Sequence, residues 1–332
     1  MERQLVTIQK IIDVKTHPNA DSLDLATVLG WQVVVKRNEF KSGDFCVFFE
    51  VDSLLPPLPV FDFMKNKNYR VRTIRLRKEL SQGLAMPLAA FPEVIAAVEG
   101  HDVTELLGVK KFEGVYSSGG EIKGAFPFFI PKTDEIRIQT IVPRIFDEIK
   151  GKQLFITEKM DGTSGTFFMH NGEFGVCSRN YELTENDSAY WKVAKKYDLN
   201  NKLRDYNGSI AIQGEVCGPK IQNNPLQLTE YKLFVFSIYL IDERRFMNYD
   251  EYVKCCRQLM LDRVPCLTDQ FYFDQEIHNL AYFLDHAKGK YEGTNADREG
   301  IVIRPIVEIQ SDILKGRLSF KVLNNDYLEN EE

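Results

Sequence analysis

Lys159 is followed by Met160, Asp161 and Gly162, between two apolar runs, Leu154-Phe155-Ile156 and Thr166-Phe167-Phe168-Met169. A lysine with a carboxylate two places on, at the end of a strand-like run, reads as a nucleophilic amine. Gly162 would let the backbone approach a nucleotide closely. Four clusters follow in order: Ser178-Arg179-Asn180, Gly214-Glu215, Glu299-Gly300 before Ile301-Val302-Ile303, and Ser319-Phe320-Lys321 in a last strand. An amine must be neutral to attack. At a pKa of ~10.4 a lysine is neutral only about once in a thousand at neutral pH, a handicap of roughly 4 kcal/mol. Burial and a nearby divalent cation lower that pKa, whereas carboxylates raise it. Asp161, Glu215 and Glu299 are therefore assigned to binding Mg²⁺ or Mn²⁺, either directly or through metal-bound waters, because Mg²⁺ dehydrates reluctantly. Oxygen donors do not choose between the two ions.

Strands must position these groups. Glu173 to Cys177 leads into Ser178, Ile210-Ala211-Ile212 into Glu215, and Leu233 to Leu240 reads as a buried strand. Tyr190–Tyr197 and Tyr249–Leu261 are the helix candidates of this region, which reads as α+β. The first third reads as all-β, with candidates at Leu5–Ile8, Ile11–Val14, Trp31–Val35, Phe45–Phe49 and Arg70–Arg77. Short strands with turns between them suggest a small Greek-key barrel such as an OB-fold. Phe91 to Gly108 suggests a short helix closed by Gly100. Gly114-Val115-Tyr116-Ser117-Ser118-Gly119-Gly120 is the linker candidate. The expected division is residues 1–115 and 120–332.

The chain has 332 residues, 44% hydrophobic and 27% charged, with a net charge of −6. Any nucleic-acid surface on so acidic a chain must be a local patch. No apolar run reaches the roughly 18 residues of a membrane span, and the N-terminus lacks a secretory h-region. Six cysteines without a C-x-x-C pair suggest reduced intracellular thiols rather than a zinc site or disulfides.

The ordered set Lys-x-Asp-Gly, Ser-Arg-Asn, Gly-Glu, Glu-Gly-x-Val-Ile and a terminal strand lysine resembles the covalent nucleotidyltransferases: ATP-dependent DNA ligases, RNA ligases and capping enzymes. Thr163-Ser164 after Gly162, where DNA ligases and capping enzymes tend to place an arginine, is similar to RNA ligases. A barrel placed first, with Pro131-Lys132-Thr133-Asp134-Glu135-Ile136-Arg137-Ile138-Gln139 upstream of the lysine, resembles the Naegleria/Deinococcus-type RNA ligases, RNA ligase family five. The resemblance implies an α+β chain, with an N-terminal OB-fold β-barrel followed by a C-terminal ligase adenylation domain of antiparallel sheets and helices. It implies ATP as cofactor and AMP carried on Lys159. Lys321 would hold the AMP phosphate and Arg179 the ribose or phosphates. Glu158 would contact adenine, and Arg137, with Gln139 beside it, would handle the triphosphate or RNA phosphate. Phe236 either stacks on the base or is an ordinary core residue. Many relatives carry Lys-x-Lys where this chain has Ser319-Phe320-Lys321, and Lys315 is a substitute for the absent lysine.

His17-Pro18-Asn19-Ala20-Asp21 resembles a segment of tRNA-binding OB domains, read either as RNA contact at His17 or as a Pro-Asn turn. Between Lys65 and Lys78, seven of fourteen residues are basic. Arg70, Arg72, Arg75 and Arg77 are expected to track an RNA backbone. The expectation is a monomeric, soluble, intracellular RNA-repair ligase. It would join RNA 3′-hydroxyl and 5′-phosphate ends, in nicked duplex RNA, through lysyl-AMP. A DNA ligase, a GTP-using capping enzyme and a non-catalytic RNA-binding protein on the same fold are the competing readings.

Overall fold

The computed structural model describes residues 3–95, 97–112 and 121–330. The linker candidate Gly114–Gly120 lies outside the described residues. Two compact units form. The first takes residues 1–116, 138–145 and 328–332, and the second takes 117–137 and 146–327.

The first unit is built on a five-stranded antiparallel sheet in the order Trp31–Lys36, Leu23–Val28, Val6–Thr16, Phe45–Phe49, Leu84–Pro87. Trp31, Val33 and Val35 alternate buried with half-buried Gln32 and Val34, as period-two side chains must. Two expected strands, Leu5–Ile8 and Ile11–Val14, are one long strand. A register shift between Ile11 and Asp13 leaves Ile12 55% exposed, which hid the continuity from the pattern. The OB-fold reading holds.

Among the described residues, the expected helix after Phe91 is absent. Val94 packs against the core, but Ile95 and Val98 are 97% and 58% exposed, so too little of this apolar run is buried to repay the cost of a helical nucleus. The strand expected over Arg70–Arg77 shrinks to Thr73–Leu76, paired with Glu79–Gln82. Arg77 and Lys78 both have positive φ, 50° and 75°, and make the two-residue hairpin turn. Such turns usually carry Asn-Gly, so the sequence held no signal for it.

The second unit is α+β. A seven-stranded sheet runs Ile122–Ala125, Tyr181–Leu183, Glu173–Cys177, Thr163–His170, Ile210–Cys217, Lys232–Leu240, Arg245–Phe246. A five-stranded sheet runs Ile136–Arg137, Phe320–Leu323, Gly300–Pro305, Gln153–Lys159, Cys266–Tyr272. Helices Ala189–Lys196 and Tyr249–Gln258 bury Tyr190, Val193, Tyr252 and Cys256 in one core with Phe167, Ile212 and Val235 of the larger sheet. The second helix starts at a capping box, in which Glu251 accepts from Asn248 N–H at 2.8 Å. It stops at Gln258, short of the expected Leu261, because Met260 has φ 51°. A cap is worth about 1 kcal/mol and each large buried side chain about 1.5–3, so the core fixes where these helices lie.

Candidate active site

Lys159 ends one strand of the smaller sheet, and Thr163 begins a strand of the larger one. Met160-Asp161-Gly162 is thus the crossing between the sheets. Gly162 is required there by the protein itself. A Cβ would come 2.5 Å from Val216 O and 2.9 Å from Glu215 Cγ, so glycine is what lets the crossing lie against the strand that carries Glu215. The nucleotide-approach reason expected for this glycine is not the one its surroundings give. Gly300 plays the same part across the smaller sheet. It has φ +154°, and a Cβ would sit 2.2 Å from Val322 O.

Register brings the charged groups together. Lys159 pairs with Gly300, so Glu299 arrives beside the lysine. The Lys159 amine donates to Glu299 Oε2 at 2.6 Å. Arg137 pairs in parallel with Lys321 and Lys321 pairs with Val302, placing two cations side by side across the sheet. Arg179 sits at the tip of the hairpin between Glu173–Cys177 and Tyr181–Leu183. It donates to Asp134 at 2.9 Å, and the same carboxylate lies 3.6 Å from the Lys321 amine. Asp134 therefore gathers both expected phosphate-binding cations.

Burial works to lower the Lys159 pKa, but Glu299, Glu215 and Asp161 outweigh it and hold the amine well above its usual range. Glu215 is pushed up to about 8 by burial, against the pull of Lys159, and by the charges of Glu299 and Asp161. Among the described residues no three acidic, histidine or cysteine side chains converge as a ready-made metal cage. The three carboxylates expected to bind the ion, directly or through its waters, all act on the Lys159 ammonium, and Arg179 also acts on Glu215. Their hard oxygens and mutual repulsion suit a divalent ion that keeps its waters.

Three residues of the site were given no role by the sequence reading. Tyr291, 1% exposed, donates its hydroxyl to Lys159 O at 2.8 Å and accepts from Glu299 N–H at 3.1 Å. One hydroxyl thus ties the nucleophile's backbone to the carboxylate's. Asn324 N–H donates to Glu299 O at 2.9 Å from the other side. Arg298, 9% exposed, donates to Glu158 Oε1 at 3.3 Å and to the carbonyls of His286, Ala287 and Lys288, at the end of helix Leu280–His286. Neither Tyr291 nor the helix-end carbonyls that Arg298 holds sit in a motif, and nothing local marks them.

Glu158 is buried against Arg298, and burial raises its carboxyl pKa while Arg298 lowers it. Phe236 is half-buried in the cluster of Met160, Cys217 and Tyr291, under the nucleophile. Gln139 is 1% exposed and belongs to the first unit, where its carbonyl accepts from Gly30 N–H. Ser319, in the place of the absent lysine, donates to Glu135. Lys315 is exposed in the turn between Gln310–Ser311 and Gly316–Arg317, a hairpin whose Arg317 pairs with Glu308.

In the first unit His17 is 2% exposed. Its Nδ1 accepts from Asn19 N–H at 3.1 Å, so its Nε2–H donates to Leu76 O at 3.0 Å. It is a turn residue, and RNA contact there is ruled out by burial. Arg70 is held by Asp52 at 3.1 Å and lies 3.9 Å over the Phe112 ring, while Arg75 pairs with Glu329 at 2.6 Å. Arg72 and Arg77 are exposed.

Replacing Tyr291 with phenylalanine keeps the ring and strips two backbone groups of their partner, at about 1–3 kcal/mol each. We expect lysine adenylylation at saturating ATP to slow tenfold or more with little change in the ATP concentration needed. Quench-flow labelling beside circular dichroism checks this. A lower melting temperature with an unchanged rate would make Tyr291 merely structural.

A family model described as RNA ligase matches residues 152–323, and one described as an OB-fold domain matches residues 5–88. A Naegleria gruberi RNA ligase structure with pyrophosphate is 35% identical, with TM-score 0.89 and 99% of each chain covered. A variant of that ligase with AMP and manganese is 34% identical, with TM-score 0.90 and 99% of each chain covered. A second variant, with ATP and manganese, is 35% identical at TM-score 0.89 over 99% of each chain. Comparison with curated protein sequences gave no match.

Proposed function

The chain belongs to the RNA ligase family, and from that premise we propose that it seals 3′-hydroxyl/5′-phosphate breaks in duplex RNA at the cost of ATP. The observation that carries this reading is the Lys159 amine, framed by Glu299, Glu215 and Asp161 at the crossing of two sheets. Lys159 Nζ attacks the α-phosphorus of ATP. The N–P bond forms, the bond to pyrophosphate breaks, and the amine has already shed its proton, with Glu299 Oε2 2.6 Å away as its acceptor. Lys321 and Arg179 leave Asp134 for the nucleotide's phosphates, and Arg137, paired beside Lys321, steadies the same charge. A divalent ion held by the three carboxylates through its waters would supply the positive charge that frees the amine of its proton. Phe236 and Glu158 form the floor and one edge of the base site. AMP then passes to the RNA 5′-phosphate, and the 3′-hydroxyl displaces it.

The first unit grips the RNA, with Arg72 and Arg77 as its outward cations. The protein works as a monomer, since one chain supplies the whole site. Six free cysteines, five of them buried, support a reducing intracellular compartment. Among the described residues no helix is long and apolar enough to cross a membrane. The test compares nicked RNA and nicked DNA duplexes, each with ATP or GTP. Sealing of RNA with ATP alone is expected. Preferred sealing of DNA, or label transfer from GTP, would overturn the proposal.

A further inference from the structure

The loop from Phe126 to Lys132 ends beside the phosphate cations and carries an aromatic tip that the chemistry above does not use. Phe126 N–H donates to Asn180 O at 3.1 Å. Gln213 donates to Pro131 O at 2.9 Å, and the Lys132 amine donates to Asn180 Oδ1 at 3.1 Å. Ile130 N–H donates back to Pro127 O at 3.2 Å, so Phe128 and Phe129 are the middle of a turn. Phe129 turns inward, its ring 5.7 Å from Phe168 and 4.3 Å from His170. Phe128 turns outward and is 98% exposed, its ring edge-on to Phe129 at 5.6 Å. The loop is thus pinned on both sides of one ring that it holds in water.

A single exposed apolar residue is ordinary. This one differs in what surrounds it. Lys132 is four residues on and has no carboxylate partner among the described residues. Asp134, two further on, holds Arg179 at 2.9 Å and Lys321 at 3.6 Å. Six residues span at most about 20 Å, so ring and cations lie along one short track. Glu182, on the strand that pairs with Ile122–Ala125, is engaged by Lys123 at 2.6 Å. An exposed ring beside an uncompensated cation matches the bases and phosphates of a single strand.

We propose that Phe128 is a stacking platform for a nucleobase of the RNA strand at the break, whose adjoining phosphate Lys132 contacts. The proposal rests on the RNA-ligase reading and extends it to a base-binding position outside the nucleotide site. Stacking of one base on an aromatic ring corresponds to roughly 5- to 150-fold in binding.

The experiment uses the full chain and a nicked RNA duplex carrying a 5′-adenylylated end. Phe128→Ala should label with AMP from ATP as the wild type does, yet need roughly tenfold more RNA for half-maximal sealing. Phe128→Trp should restore sealing, and its added fluorescence should be quenched by RNA. An unchanged RNA dependence in Phe128→Ala, or tryptophan emission indifferent to RNA, would overturn the platform. Absence of AMP labelling in the wild type would instead overturn the ligase reading on which it stands.

Discussion

Lys159→Ala should abolish joining from ATP and leave joining of pre-adenylylated RNA measurable. The first step needs a nitrogen lone pair at this point, and Lys159 is the amine on which Glu299, Glu215 and Asp161 act. Losing a covalent nucleophile removes the path itself, so a fall of at least about 10⁴-fold is expected, down to the assay background. The later steps use the RNA hydroxyl as nucleophile and require only that the site bind the adenylylated end. The carboxylates lose their ammonium in this variant and gain affinity for a divalent ion, which favours the third step further. Parallel gels with ATP plus 5′-phosphate RNA, and with adenylylated RNA alone, check both halves. Full joining from ATP by Lys159→Ala would remove this lysine from the mechanism.

Withdrawing divalent metal should stop lysine adenylylation, and the requirement should steepen as pH falls. The Lys159 amine is held above its usual ~10.4 by the carboxylates, so fewer than about one in a thousand molecules has it neutral at pH 7.4. The metal-free rate should drop about 10³-fold or more. Glu215, pushed up to about 8, binds a proton where a metal would otherwise be held. Apparent metal affinity should therefore weaken by up to roughly tenfold for each pH unit below about 8. The same shift has a stability sign. A carboxyl raised from 4.5 to about 8 stabilises the fold below pH 4.5, and that contribution is lost as pH rises through 8. Lys159, also raised, keeps its contribution throughout that window. Metal-free protein should melt lower at pH 8 than at pH 5, with Mn²⁺ offsetting the loss. Label incorporation and melting temperature across pH 5.5–8.5, with chelator or Mn²⁺, measure both effects. A metal requirement that does not change with pH would contradict the role given to Glu215.

What the sequence showed and what it hid follow one physical division. Lys159, Glu215, Glu299 and Lys321 were legible because each sits at or beside a strand whose apolar residues announce it. Pairing then does the rest, Lys159 with Gly300 and Lys321 with Val302. Tyr291 and Asn324 were not legible. Their work is done by a hydroxyl and a backbone N–H on loops, through bonds that exist only once the smaller sheet is assembled. Asp134 was read as part of an upstream segment, but its hold on Arg179 and Lys321 depends on three separate stretches of chain meeting. The edge strand Cys266–Tyr272 buries only Phe271 and shows no alternation to read. Composition over Lys65–Lys78 pointed to a uniform basic strand. The structure turns Arg70 onto Asp52 and folds Arg77 into a hairpin turn, because pairing and turn geometry, not charge, decide which way those side chains face.

The most direct measurement is incubation of the purified chain with α-labelled ATP and Mg²⁺ or Mn²⁺, followed by denaturing electrophoresis and acid treatment. Label is expected to survive denaturation, to be released by acid as a phosphoramidate must be, and to be absent from Lys159→Ala. No label on folded protein shown not to be already adenylylated, or label that persists in Lys159→Ala, would contradict the lysyl-AMP mechanism.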